Sequence, residues 1–256
     1  MPAKRIGSIT NLLKVISRDS EEWGPISRPW FRGEPDVDTP LLPSVYRKKA
    51  DGTYHDESQL VQAFRREAPS LLSGAYIDRH EVDNWLFLMQ HFRLPTRLLD
   101  WTEGALIALY FALQYEKPVV WMLNPSALLR LATGNDSIND NVVYLTWFRP
   151  NEKHTNIATE NIRAAWEHGN TPFELPAPVH PTFVHTRMNA QISRFTAHGK
   201  LSKPMPDILP SHILKRYEIQ PSKVKDMIHE LHQLGITHTT LFPDLDGLAV
   251  ELKSLY

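Results

Sequence analysis

Apolar residues recur at the three- and four-residue spacing of a helix in several stretches of the chain, which predicts that these stretches are helical. The stretches are 7–18, 57–73, 81–92 and 221–234. In the first of them, Ser8 or Thr10 can cap the helix. Residues 103–115 are apolar on nearly every side, and this pattern predicts a helix at the centre of the molecule.

Short apolar or alternating runs between turn residues predict the strands. They lie at 30–33, 96–102, 119–123, 142–145, 181–185, 191–198 and 212–219. Helices therefore come mostly first and strands later. This order predicts an α+β fold, with N-terminal helices packed on a mixed, mostly antiparallel sheet. We expect a single domain over residues 1–256, with a mobile surface insertion at 151–180, where Pro, Asn, His and Thr are frequent.

Composition and charge exclude several classes of protein. Hydrophobic residues make up 42% of the chain, and 28 basic residues face 29 acidic ones, for a net charge of −1. This balance excludes disorder driven by charge, and it gives no overall attraction to nucleic acid, although a local basic groove is compatible with it. No apolar run approaches the roughly 20 residues of a membrane span. We expect a cytoplasmic protein with no membrane partner.

The familiar catalytic and metal-binding motifs are absent from the sequence. It contains no GxGxxG, P-loop, GxSxG or HExxH pattern. The absence of cysteine excludes a disulfide scaffold, a thiolate metal site and a cysteine nucleophile. The 12 histidines are scattered, and we expect no metal site.

Three segments place polar or charged residues inside otherwise buried sequence. In the first, Arg32 follows Trp30 and Phe31 and precedes Gly33. The arginine either pairs with an internal carboxylate or faces a ligand, since an unpaired buried charge is costly. Gly33 would let a ligand approach the main chain closely.

The second segment runs from His91 to Thr102, just before the most apolar helix. Asp100 or Thr102 can cap that helix, and the helix N-terminus would also favour a bound phosphate. Arg97 can pair with Asp100. The remaining candidate residues of the segment are Thr96 and Trp101.

The third segment covers residues 187–196. If it is a strand, Gln191 and Ser193 share a polar face. Such a face suits the wall of a cleft, and it equally suits a surface exposed to solvent.

Together these segments resemble the FRG family, named after the motif Phe31-Arg32-Gly33. Further matching runs are 41–47, 90–102, 190–196 and 241–248, so that the resemblance extends from about residue 23 to 250. The run at 90–102 is the most specific. One departure is Arg93, where a glycine is expected in the family pattern, and it puts the geometry of the local turn in question.

The order of elements is also similar, more faintly, to the ADP-ribosyltransferase fold. This resemblance implies a first strand with Arg32 holding NAD, a second strand at 99–102 leading into the helix, and a late strand with Gln191 near the reacting ribose. The fold usually has a carboxylate at that last position, and Gln191 cannot carry a charge. Asp100 can supply the missing negative charge or act as a base, and Trp101 or Tyr110 can stack on the nicotinamide.

The resemblance implies an NAD-dependent ADP-ribosyltransferase, a toxin of a toxin–antitoxin or phage-defence system. Its acceptor would be RNA, DNA or protein, and an antitoxin would be its partner. The catalytic residues would be Arg32, Asp100 and Gln191, and the NAD-binding residues would be Phe31, Arg32, Gly33, His91, Thr96, Arg97, Trp101, Thr102, Tyr110 and Ser193. The alternatives are a non-catalytic module that binds nucleotides or nucleic acid, and a nuclease toxin.

Overall fold

The described part of the chain folds around one sheet of seven strands. The computed structural model describes residues 3–24, 28–72, 81–114, 116–134, 161–165, 171, 173–181 and 186–256. The strands are β1 (Ala3–Ile6), β2 (Trp30–Glu34), β3 (Leu98–Thr102), β4 (Val119–Leu123), β5 (Ala177–Val179), β6 (Ser193–Ala197) and β7 (Leu214–Ile219). They lie in the order β1-β7-β4-β2-β3-β6-β5. Only β1 and β7 are parallel neighbours, so the sheet is mixed and mostly antiparallel.

Helices precede, connect and follow these strands. They are α1 (Ile9–Glu21), α2 (Glu57–Glu67), α3 (Val82–His91), α4 (Ala105–Ala112), α5 (Pro125–Thr133), α6 (Thr186–Ala190), α7 (Met205–Ile208), α8 (Val224–Gln233), α9 (His238–Leu241) and α10 (Leu245–Leu255). The predicted α+β class is confirmed. The prediction that Ser8 caps α1 is also confirmed, since its side chain accepts a hydrogen bond from the Asn11 main-chain nitrogen.

Some elements differ from the sequence-based prediction. β1 and α5 were not predicted, because β1 is short and mostly exposed and because Asn124-Pro125 was interpreted as a strand end. Asn124 is in fact the N-cap of α5, with its side chain accepting from the Ala127 nitrogen at 3.0 Å. Residues 142–145, most of the predicted insertion at 151–180 and residues 182–185 lie outside the described residues.

Apolar side chains pack against both faces of the sheet. On one face Phe31, Met122 and Tyr217 contact α1, α4 and α8. Trp30, one residue from Phe31 on the same strand, points to the opposite face and packs with Trp101 and Trp121. A further cluster joins α2 and α3 to β3 and β6. The two central strands are therefore held from both sides.

No helix among the described residues is both long enough and apolar enough to cross a membrane.

Candidate active site

The sheet opens between its two central strands. β2 and β3 pair at a single position, Phe31 opposite Thr102, whereas each pairs over five positions with its other neighbour. Arg32 spans the opening, because its Nη1 donates to the main-chain carbonyl oxygen of Asp100 at 2.8 Å. A pocket of about 360 Å³ lies at this opening, a volume in the range of small-molecule sites.

Many of the residues singled out from the sequence line this pocket. They are Phe31, Arg32, Gly33, Asp100, Trp101, Thr102, Gln191 and Ser193. These residues come from three separate parts of the chain, and the sheet brings them together. The remaining lining residues are Glu34, Pro35, Ala108, Phe111 and Gln114.

Arg32 lies between two carboxylates. Its Nε donates to Glu34 Oε1 at 2.6 Å, and its Nη1 lies 3.7 Å from Asp100 Oδ2. Burial alone would lower the pKa of the guanidinium, but the charges of Glu34 and Asp100 raise it above its ordinary value. The two N–H groups of Nη2 have no partner in the described part of the chain. They can donate to an anionic or hydroxyl-bearing ligand.

Asp100 presents a half-exposed carboxylate to the pocket. Its Oδ2 accepts a hydrogen bond from Gln90 Nε2 at 2.6 Å, and Gln90 in turn accepts one from the buried Thr96 hydroxyl. Partial desolvation raises the pKa of Asp100 above its ordinary value, while the charge of Arg32 and the hydrogen bond from Gln90 act in the opposite direction. The carboxylate is thus a positioned base beside a cation.

Gln191 and Ser193 form the third side of the pocket. Gln191 lies in a turn, and Ser193 is the first residue of β6. Residues 186–190 are helical and β6 begins only at Ser193, so the strand predicted from residue 191 onward starts two residues later. Gln191 Nε2 donates to the Leu241 carbonyl oxygen at 3.1 Å. Its Oε1 has no hydrogen-bond partner among the described residues and remains available as an acceptor.

Thr102 connects the walls of the pocket. Its hydroxyl donates to the Gln191 carbonyl oxygen at 2.6 Å and accepts from the Gly104 nitrogen at 3.0 Å. One side chain on β3 therefore fixes both the start of α4 and the turn that carries Gln191. The prediction that Asp100 or Thr102 caps this helix is wrong, because Gly104 is the N-cap residue and no side chain makes the capping hydrogen bond. Thr102 instead binds the nitrogen of the cap residue.

A second, smaller pocket of about 210 Å³ adjoins the first. Asp100, Phe111, Gln191 and Ser193 line both pockets. The second pocket is otherwise lined by Phe87, Gln90, His91, Arg93, Arg187, Met188, Phe195 and Phe242. His91 is the predicted site residue that belongs to this pocket alone.

Backbone strain is concentrated at these pockets. Two non-glycine residues in the described ranges have a left-handed conformation, Arg93 with φ of 61° and Ile192 with φ of 46°. Arg93 lines the smaller pocket, and Ile192 lies between Gln191 and Ser193. This conformation is rare for a β-branched residue, and strain of this kind clusters at functional sites.

Comparison with known proteins gives a family match over part of the chain. Residues 27–119 match the family model of the FRG domain. This segment is similar to an FRG domain. The match covers β2, α2, α3, β3 and α4, and therefore both walls of the central opening. No curated protein and no solved structure matches the chain.

The glycine of the FRG motif serves helix packing. A Cβ at Gly33 would lie 1.8 Å from the Ala108 carbonyl oxygen and 2.6 Å from the Ala112 nitrogen. The group that approaches the main chain here is therefore α4, whereas the sequence predicts a ligand at this position. The FRG domain thus places α4 directly on β2, beside the pocket.

Two residues that were predicted to bind the ligand, Arg97 and Thr96, do not line the pocket and contact other residues instead. Arg97 is buried and pairs with Glu57, with 2.7 Å from its Nε to Glu57 Oε2. It does not pair with Asp100, because residues three apart on an extended segment point to opposite faces. Thr96 is fully buried and reaches the pocket only through Gln90.

The two predicted stacking residues differ in their relation to the pocket. Trp101 borders it, but this residue is 3% exposed and its indole Nε1 donates to Thr196 Oγ1 at 3.1 Å. The Tyr110 hydroxyl hydrogen-bonds to His238 Nδ1 at 2.9 Å on another side of α4. Phe111 is the aromatic residue of α4 that lines both pockets. Helical spacing from Ala108 to Phe111 could have indicated it.

Gln90 and Glu34 were also missed. Each neighbours a recognised residue in the sequence, but its role depends on a contact that the sequence does not display. Among the described residues, no group of three or more His, Asp or Glu side chains is placed to hold a metal ion.

Proposed function

We propose that this FRG domain protein is an NAD-dependent ADP-ribosyltransferase that modifies a macromolecular acceptor. One observation carries the proposal: Arg32 and Asp100 meet at a pocket in the open centre of the sheet, with 3.7 Å between Nη1 and Oδ2. A cation that can hold a phosphate or ribose oxygen thus lies beside a carboxylate that can stabilise positive charge. The larger pocket, of about 360 Å³, provides space for the nicotinamide end of NAD.

The residues of the pocket fit the parts of NAD. Arg32 has two N–H groups without a partner in the described ranges, and these can bind a phosphate or a ribose hydroxyl. Phe111 offers a ring against which the nicotinamide can stack. Gln191 Oε1 can accept a hydrogen bond from a ribose hydroxyl.

The reaction breaks the bond between nicotinamide and ribose, and a nucleophile of the acceptor forms a new bond to the same ribose carbon. Nicotinamide leaves with the bonding electron pair, and positive charge develops on the ribose, as in glycoside cleavage. The Asp100 carboxylate stabilises that charge and takes up the proton that the nucleophile loses. Its raised pKa makes it a stronger base for this step.

Asp100 compensates for the amide at position 191. Gln191 cannot supply negative charge, whereas Asp100 lies in the same two pockets and can. In this proposal Gln191 orients the ribose and Asp100 provides the charge.

The proposed setting is the toxin role, in a toxin–antitoxin or phage-defence system, that the sequence resemblance implies. An enzyme that consumes NAD and modifies macromolecules in the cytoplasm harms its own cell, so an antitoxin protein would restrain it. This setting depends on the proposed activity and is tested with it.

Release of nicotinamide from NAD, with and without cell extract, tests the activity. We expect Arg32→Gln and Asp100→Asn each to lower the rate by about 10²-fold or more, the usual cost of losing an electrostatic or acid–base group. Arg66→Gln is the matched control, since Arg66 is exposed and pairs with Glu67 far from the pocket in sequence. Thermal unfolding of each variant separates loss of activity from loss of fold.

Full activity in a folded Asp100→Asn variant would contradict the proposal. The uncharged amide of Gln191 favours the second candidate, a non-catalytic nucleotide-binding module. Binding of NAD without nicotinamide release would indicate that module. Degradation of nucleic acid that stops in EDTA would indicate the nuclease.

A further inference from the structure

The smaller pocket contains a cation, Arg93, that has no partner within the described part of the chain. The guanidinium of Arg93 makes no hydrogen bond or ion pair with the described residues. By contrast, Arg187 in the same pocket is bound to Asp244, with 2.6 Å from its Nε to Asp244 Oδ2. Asp100 is the acidic residue of this pocket, at the border with the larger one, and Arg32 offsets its charge. The part of the pocket near Arg93 is therefore suited to an anion.

The backbone holds Arg93 in place at a cost. With φ of 61°, it occupies a conformation that glycine adopts freely and other residues rarely do. A relaxed turn would need only a glycine here. The chain thus has an arginine where the backbone conformation favours glycine, and strain of this kind clusters at functional sites.

An exposed aromatic residue immediately precedes this cation in the sequence. Phe92, between His91 and Arg93, is 56% exposed and meets the His91 ring edge-on, with 5.0 Å between the ring centroids. Both of its sequence neighbours line the smaller pocket. An exposed aromatic ring next to a free cation is the arrangement with which proteins bind single-stranded nucleic acid, the ring for a base and the cation for a phosphate.

We propose that the acceptor is a single-stranded nucleic acid, which binds with a phosphate at Arg93 and a base against Phe92. The proposal rests on the proposed transferase function. It places the acceptor in the smaller pocket and NAD in the larger one, with Asp100 at their shared border. A base in a duplex is already stacked and paired, so an unpaired strand fits this arrangement.

Fluorescence anisotropy with labelled single-stranded RNA and single-stranded DNA, in the absence of NAD, tests the binding. We expect Arg93→Gly to weaken binding of the preferred strand at least tenfold and to reduce its salt-dependence slope by about one. This variant relaxes the backbone, so a folding defect does not account for the loss. We expect Phe92→Ala to weaken binding as well, by removing the stacking surface.

Two matched controls lie on and just after α2. Arg66→Ala removes an exposed arginine, and Leu71→Ala removes an apolar side chain that is 81% exposed. Neither change should affect binding.

Hydrolysis of NAD, in which water replaces the acceptor, releases nicotinamide without any nucleic acid. Measuring this release therefore separates the inference about the acceptor from the proposed function. Release that persists in Arg93→Gly while oligonucleotide binding is lost supports both. Unchanged binding in Arg93→Gly, or no binding by the wild-type protein, overturns the inference even if NAD is consumed. A label transferred from NAD to protein side chains would also overturn it. Binding without any nicotinamide release would contradict the proposed function and leave the nucleic-acid site standing.

Discussion

Each residue of the FRG motif has a separate physical task. Phe31 is buried in the core between the sheet and α4. Arg32 crosses the opening between the central strands and links β2 to the Asp100 carbonyl oxygen. Gly33 leaves space for the main chain of α4. The three residues together place a charged group at a point where the sheet is open and a helix is close.

Gly33→Ala should destabilise the protein more than a surface glycine change does. Its new Cβ would meet main-chain atoms of Ala108 and Ala112, which cannot turn aside as a side chain can. We expect a loss of about 1–3 kcal/mol in the free energy of unfolding, the usual cost of overpacking. Gly7→Ala is the control, since its Cβ would only touch the Gln220 side chain at 3.4 Å. Equal midpoints in urea denaturation would contradict this explanation of the motif.

At the scale of single residues, many of the side chains that line the pocket could be singled out from the sequence. It offered two roles for Arg32, an internal ion pair or a ligand contact, and the geometry accommodates both. Trp101, predicted to stack on the nicotinamide, is 3% exposed, and strand alternation places it on the face opposite Asp100 and Thr102. Gln90 could not be recognised, because its contact with Asp100 depends on how α3 meets β3.

At the scale of elements, β3 organises the site. It carries Asp100 toward the pocket, and at its end Thr102 binds both the start of α4 and the turn before β6. That turn was predicted as part of a strand. Polar alternation over 187–193 looked like a strand face, but residues 186–190 form one helical turn and Ile192 reverses the chain.

Thr102→Val should disrupt this junction while preserving the shape of the side chain. It leaves the Gln191 carbonyl oxygen and the Gly104 nitrogen without their partner, which costs about 1–3 kcal/mol of stability. Nicotinamide release should fall as Gln191 loses its position. Thr102→Ser retains the hydroxyl and should restore activity. Equal activity in the Val and Ser variants would show that the hydroxyl does not position the turn.

At the scale of the whole molecule, the order of helices and strands predicted the α+β class, and the mostly antiparallel sheet was predicted as well. The opening between β2 and β3 was not predictable from the sequence pattern. It depends on the pairing of strands more than 60 residues apart, and both strands look like ordinary buried strands in isolation.

The fold as a whole should lose stability in mild acid because of a buried histidine. His198 is fully buried, and burial, followed by the charges of Arg97 and Arg32, lowers its pKa to about 3. In the unfolded chain it binds a proton near pH 6.5. As the pH falls below that value only the unfolded state gains the proton, so the free energy of unfolding decreases by up to about 1.4 kcal/mol per pH unit, until the pH approaches 3.

Urea denaturation at pH 7 and pH 5 measures this effect. His198→Gln, which cannot titrate in this range, should lose less stability than the wild type between the two conditions. His212→Gln, at an exposed position, is the control and should behave as the wild type does. The same pH dependence in wild type and His198→Gln would show that the buried histidine is not responsible.

Transfer of label from NAD is the measurement that tests the central claim most directly. The purified protein is incubated with adenine-labelled NAD and cell extract, and the products are then digested separately with RNase, DNase and protease. We predict that a macromolecule becomes labelled and that digestion with either RNase or DNase removes the label. Substitution of Arg32 or of Asp100 should abolish the labelling. No label and no released nicotinamide, from a protein shown to be folded, would contradict the claim that this pocket catalyses ADP-ribosyl transfer.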